Sequence, residues 1–307
     1  MTQDAASIRR TADGGLDVDH LFLSAAFNRF QARAQDKALV SFHAGNAALT
    51  LAGSGEVWRS PVTGAFGGIA AAGPVPAREV FALGDAASIW LRQERAQGVI
   101  RLPPDGLGDA NAAALENALH RNGWRLAQVD LNYHLPVVTR DAFFASLGET
   151  KQKEIRRLRR SGAEYRVLDA ADGARAHAVI AANRTARGYA MTMAWPQLAA
   201  LAGAFPDQIS FHGVERAGDL LAAAIRLRIT PTHHYVFYWG EDPAWRKESP
   251  TTLLAEELMA DSHAAGATVL DIGTSTDDSE PNLGLIAFKE SLGCQTRAKR
   301  TYVLDLA

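Results

Sequence analysis

The side chains best suited to chemistry lie in the second half of the chain. His233 and His234 open a strand-like run, HHYVFYW, that ends at Trp239. By the two-residue period of a strand, His234 shares a face with Tyr238, which aims both at one space. An imidazole there can act as a general base beside a phenol. The same residues also fit a polar strand end next to the turn Thr230-Pro231-Thr232. Asp271 follows an apolar strand signal, at the carboxyl end where α/β sheets often place functional groups. It reads equally as a second candidate base or as the cap of a turn.

Ser249-Pro250 marks a helix start, with Pro at the first helical position. Unpaired N–H groups at such an end suit a pyrophosphate. Arg246, Lys247, Ser249, Thr251 and Thr252 are therefore the candidate phosphate-binding residues. The run WRKESP has no glycine of the kind that tight phosphate cradles use, and an ordinary helix start with exposed basic residues fits it as well. Arg187 and Tyr189, just past a helix stopped by Gly188, are candidates for the acceptor cleft, and Lys289 of the last helix is a third. The histidines have no metal-ligand spacing such as HExxH, so no metal site is expected. GxSxG, GxGxxG and GxxxxGK[ST] are absent. Cys294, the single cysteine, excludes an internal disulfide and reads as a small packed residue after a helix.

These residues need elements to hold them. The pattern predicts two α/β halves: 1–140, a basic helical connector at 141–164, and 165–307. In the first half a helix is expected over 19–34, then two strands around Gly45-Asn46. The Gly-rich loop SPVTGAFGGIAAAGPVP follows, then a helix over 77–97 with Gly98 just past its end, and a helix from a cap at Asp109 to about 122. The connector ETKQKEIRRLRRSG carries six Lys and Arg against two Glu. Helical spacing puts Lys153, Arg156, Arg157 and Arg160 on one side, either as a solvated face or as a contact for phosphate-bearing substrate. In the second half, strands over 208–214, 220–229 and 233–239 precede the helix that Ser249 starts; another strand, a helix capped by Asn282 and a closing strand complete it.

The whole chain has 307 residues, 47% hydrophobic and 21% charged, which is a globular mixture rather than a disordered or coiled-coil one. Lys and Arg number 32 against 34 Asp and Glu, a net charge of -2, which argues against a dedicated nucleic-acid coat. No secretory signal or membrane-spanning run is read, so a cytoplasmic protein is expected.

The pieces DPAWRKESPTTLLAEEL, LDIGTST, NLGLIAFKESLG and the final RTYVLDL resemble the C-terminal half of the FemAB-like branch of the GNAT acyltransferase superfamily. NRTARGYAMTM and SPVTGAFGGI resemble further segments of these proteins. The resemblance implies mixed α/β sheets in two tandem GNAT-like domains, with the active cleft in the C-terminal one. It implies transfer of an acyl group to an amine or hydroxyl of a small-molecule, sugar or envelope precursor. The donor is acyl-CoA, such as acetyl-CoA, in the simple branch, and aminoacyl-tRNA in the peptidoglycan-bridge branch. Under the second donor the connector helix touches tRNA. A catalytically silent binding module with the same fold is the third reading. The sequence departs from ordinary GNAT proteins in lacking their glycine-rich pyrophosphate loop at 245–251.

Overall fold

The computed structural model describes residues 7–107, 111–169 and 171–305; the expected cap Asp109 lies outside them. The described chain divides into two compact units. One holds Met1–Asn132, Thr276–Pro281 and Arg297–Ala307, the other Tyr133–Ser275 and Asn282–Thr296.

The first unit begins with β1 (Arg9–Thr11). The helix expected from residue 19 is instead a 3-10 turn, Leu21–Leu23, followed by α1 (Ala25–Ala34). Ser24 interrupts them in an extended conformation and accepts the Phe27 N–H at 3.2 Å, so it caps α1 rather than continuing a helix. The hairpin β2 (Ala38–Ala44) and β3 (Ala47–Ser54) turns at Gly45, whose φ is 54°. Then come β4 (Val57–Ser60), β5 (Ile69–Ala71), α2 (Ala77–Gln93), β6 (Gln97–Arg101), α3 (Ala112–Arg121) and β7 (Arg125–Pro136). Helix α2 stops one turn before the expected end, with Arg95 taking the left-handed conformation. Gly98 lies within β6 instead, where a Cβ would come within 2.4 Å of the Trp124 ring. The core of this unit packs α2 and α3 residues such as Val80, Leu83, Leu91 and Leu115 on Leu49, Leu51 and Ile100 of the sheet.

The second unit takes the end of β7 and continues with α4 (Arg140–Ser146), α5 (Glu149–Arg160), β8 (Glu164–Leu168), α6 (Gly173–Ala186) and α7 (Trp195–Ala204). The antiparallel strands β9 (Ile209–Arg216), β10 (Asp219–Thr230) and β11 (His233–Glu241) follow. A 3-10 turn, Pro243–Glu248, leads into α8 (Pro250–Ala264), then β12 (Val269–Thr274). The short pair β13 (Thr276–Asp277) and β14 (Glu280–Pro281), then α9 (Leu283–Ser291) and β15 (Gln295–Leu304), complete the chain.

Strands follow the order β1-β2-β3-β4-β6-β15 in the first unit and β12-β11-β10-β9-β8 in the second. Most of the last strand belongs with the first unit. Parallel and antiparallel pairs occur together, which makes the fold mixed α/β.

Two helices clamp β11. Leu253, Leu254, Leu258 and Met259 of α8 are buried against Val236, Leu221 and Ala224. Each such leucine contributes roughly 1.5–3 kcal/mol on burial. Helix α6 packs on β10 and β11 through Ala176, Ile180 and Asn183. That i, i+4, i+7 stripe runs on to Arg187 at the helix end and fixes where Arg187 lies.

Candidate functional site

The parallel ladder between β11 and β12 is short. His233, His234 and Tyr235 face Val269, Leu270 and Asp271, and both strands then run on past the last pair. The C-terminal half of β11 is therefore where a substrate can meet backbone and side chains. What decides the site is which side chains of β11 point to which helix.

A bulge breaks the parity expected from the sequence. Against β10, Ile225 pairs with Tyr238 but Arg226 pairs with Val236, so Phe237 is the extra residue. His234 and Tyr238 consequently lie on opposite faces. His234 points under α8, where its Nδ1 is 3.0 Å from Ser262 Oγ, and it is only 2% exposed. Burial and the nearby Arg226 guanidinium push its imidazole down to about 4. Tyr238 points to the α6 side, hydrogen-bonded to Thr192 Oγ1, with the Arg184 guanidinium 5.7 Å from its ring. Burial raises its phenol above the usual range, so it stays protonated.

Asp271 is fully buried. One carboxylate oxygen accepts the Gly273 N–H at 2.8 Å and the other is 3.3 Å from His233 Nε2. It does the work of a turn cap for the left-handed Gly273. His234, Asp271 and Tyr238, grouped by the sequence, are thus not brought together: two are closed off from solvent and only Tyr238 reaches the α6 face.

The start of α8 is likewise filled from within. Ser249 adopts φ 57° and makes no side-chain cap bond. Thr251 donates its hydroxyl to Glu241 Oε2 at 3.0 Å, and Thr252 donates to Glu154 Oε2 at 2.9 Å. Lys151 Nζ neutralises Glu154 at 2.9 Å. Two carboxylates therefore occupy the helix end where a pyrophosphate needs donors, and both carry the favourable interaction with the helix dipole. Arg246 and Lys247 are exposed in the preceding turn. This set of residues does not fit the pyrophosphate of acyl-CoA.

At the carboxyl end of β11 a compact polar cluster forms, and it includes three of the expected residues. Glu241, at the end of β11, is 7% exposed; its Oε1 is 3.4 Å from Arg187 Nη2. Asn183 donates to the Glu241 carbonyl at 2.9 Å, and Gly240 lets it approach, since a Cβ there would lie 2.8 Å from Asn183. Tyr189 accepts a 2.9 Å bond from Asn282, the residue that caps α9. Arg184 spans the group, 5.9 Å from the Tyr189 ring and donating its Nε–H to the Ala190 carbonyl. Arg187, Tyr189 and Tyr238 are thus joined by Glu241, Arg184, Thr192 and Asn282, which the sequence reading passed over. The signal for Glu241 was present, a carboxylate closing a strand just before a helix start.

Lys289 is elsewhere. It is 1% exposed and donates to the carbonyls of Gly273 and Thr274 at 2.8 and 2.9 Å, so it holds the end of β12. Cys294 is half-buried, and burial pushes its thiol up to about 12, which leaves it unreactive at neutral pH. Among the described residues no group of three His, Cys, Asp or Glu could hold a metal ion, and no helix is long and apolar enough to cross a membrane.

No curated protein matches the chain by sequence. Residues 148–284 match the GNAT acetyltransferase domain. Among solved structures, FemX superposes with a TM-score of 0.68 at 13% identity, covering 89% of each chain. The C-terminal domain of a lysylphosphatidylglycerol synthetase from Agrobacterium fabrum, described as putative, gives 0.61 at 14%, covering 91% of this chain and 86% of that one. A tandem GNAT protein from the clavulanic acid pathway gives 0.50 at 12%, covering 88% and 83%. Residues 148–284 are therefore similar in sequence to a GNAT domain, and the chain as a whole shares its fold with FemX and with the synthetase C-terminal domain.

Proposed function

We propose that the protein is an acyltransferase that takes an aminoacyl group from an aminoacyl-tRNA and passes it to an amine of a small-molecule or envelope precursor, at the carboxyl end of β11. The observation that carries this choice of donor is the start of α8, where Glu241 and Glu154 accept the threonine hydroxyls that a pyrophosphate would otherwise use. Similarity in fold to FemX and to a synthetase named for a lysyl product supports an aminoacyl rather than an acetyl group.

In this reading the amine nitrogen attacks the ester carbonyl carbon. A C–N bond forms, the C–O bond to the ribose breaks, and the proton lost by the amine balances the one gained by the ribose oxygen. Glu241, already held by Thr251 and Arg187, takes the amine proton. Tyr238, protonated and fixed by Thr192, donates a hydrogen bond to the carbonyl oxygen as negative charge builds on it. Arg187 and Tyr189 border the acceptor, and Lys289 positions the end of β12.

Single-turnover transfer from a panel of aminoacyl-tRNAs to a panel of amines tests this, run beside acetyl-CoA. Amide formation from an aminoacyl-tRNA alone is the expected result. Transfer from acetyl-CoA with none from any aminoacyl-tRNA overturns the choice of donor and returns the acyl-CoA reading to first place.

A further inference from the structure

Five cations gather where the C-terminal end of α5 meets the turn before α8. Arg157 donates to the carbonyls of Lys247 and Glu248, at 3.4 and 2.9 Å. Arg216 donates to Ser161 Oγ at 2.9 Å, makes a two-pronged pair with Glu248 and lies 4.6 Å from the Trp245 ring. These bonds fix two pieces of backbone side by side and thereby bring together the segments that carry Arg160, Arg246 and Lys247. All three are exposed, and among the described residues their side chains make no hydrogen bond or ion pair. Glu248 is consumed by Arg216, and Asp219 also faces Arg216, so the other cations are left to solvent. The rest of the α5 basic side is spent internally: Lys153 pairs with Glu149, Arg156 stacks on Phe144, and Arg159 pairs with Glu256 and Glu257.

From this arrangement we propose that Arg160, Arg246 and Lys247 form a phosphate-reading surface for an RNA backbone. The proposal rests on the aminoacyl-tRNA reading and narrows it, assigning the RNA contact to one end of α5 and the turn before α8 instead of the whole basic helix. Guanidinium groups match phosphate in geometry as well as charge. A lipid surface fits less well, because membrane-docking faces pair cations with apolar side chains that insert. None of the exposed large apolar residues lies in the C-terminal end of α5 or in the turn before α8.

The test uses the full chain and a fluorescently labelled RNA minihelix with a single-stranded 3′ end, with binding followed by anisotropy across a salt series. The triple variant Arg160→Ala, Arg246→Ala, Lys247→Ala is expected to bind at least tenfold more weakly. Its slope of log K against log salt should flatten by about 2, for three lost contacts at about 0.7 each. Lys153→Ala on the same helix should bind as the parent does. Transfer from an aminoacyl ester of adenosine, which lacks the RNA phosphates, should be equal in parent and triple variant. Unchanged RNA binding in the triple variant, equal weakening by Lys153→Ala, or loss of binding to phosphatidylglycerol vesicles in place of RNA each overturns the surface. If RNA binding falls as expected while the parent transfers from no aminoacyl ester, the surface stands and the proposed activity fails.

Discussion

The two ends of β11 carry similar polar residues and treat them in opposite ways. On the α8 face, His234 is shut in with Ser262, and the neighbouring His212 is bonded to Tyr165 and Ser210 at 2.7 Å each. Burial and Arg226 depress both imidazoles, so these histidines are neutral structural parts at physiological pH. At the far end, Tyr238 from the α6 face and Glu241, which also reaches Thr251 of α8, lie with Arg184 and Arg187 next to an exposed loop. The difference teaches that titratable side chains mark a site where they border an exposed, charged loop, as Glu241 borders Arg187, rather than where they are enclosed on every side. A neutral, enclosed imidazole has no path for the proton it would receive.

That contrast can be broken most sharply at Glu241. Glu241→Gln keeps the Thr251 bond but removes the base, and kcat should fall by about 10²–10⁴-fold with little change in the melting temperature. Rapid-quench kinetics beside circular dichroism measure both. A small kinetic effect would move the chemistry elsewhere.

His234→Ala should do the reverse. It leaves Ser262 unpaired and opens a cavity, costing about 1–3 kcal/mol of stability with turnover per folded molecule unchanged. Denaturant titration and active-site counting separate the two. The same residue predicts a pH effect. Its folded value, about 4, lies below its ordinary 6.5. The associated stability is therefore complete above about 6.5 and lost as pH falls toward 4, because the unfolded state takes up the proton first. The His234→Ala variant should show a shallower acid loss than the parent in melts from pH 7 to 4; equal slopes would mean that the imidazole is not desolvated.

Tyr238→Phe sharpens the comparison at the other end, with kcat lowered roughly tenfold through loss of one hydrogen bond, about 1.4 kcal/mol. The smallest effect is expected for Tyr189→Phe, which loses the Asn282 bond at the loop and should raise KM for the acceptor a few-fold with kcat retained.

Much of the scaffold could be read from the sequence because it rests on local signals. Ser249-Pro250 does start α8, Asn282 does cap α9, and the 38–54 hairpin turns at Gly45. The GNAT-like order of elements followed from the same signals together with the quoted motifs. The site was less legible. A single bulge at Phe237 reversed the face of Tyr238 relative to His234, and period-two reasoning has no means of seeing an inserted residue. The occupants of the α8 start were illegible for a different reason. These, Glu241 and Glu154, come from β11 and from α5, and the Thr252–Glu154 bond spans 98 positions in the sequence. Arg187 and Tyr189 lie near each other in sequence and in the structure because one short segment carries both.

The most direct test is turnover per folded molecule for Glu241→Gln and His234→Ala, measured side by side with the same aminoacyl-tRNA and acceptor. The account predicts a collapse of the rate in the first and a parent-like rate in the second. A parent-like rate for Glu241→Gln with a collapse in His234→Ala would contradict it and put the chemistry under α8.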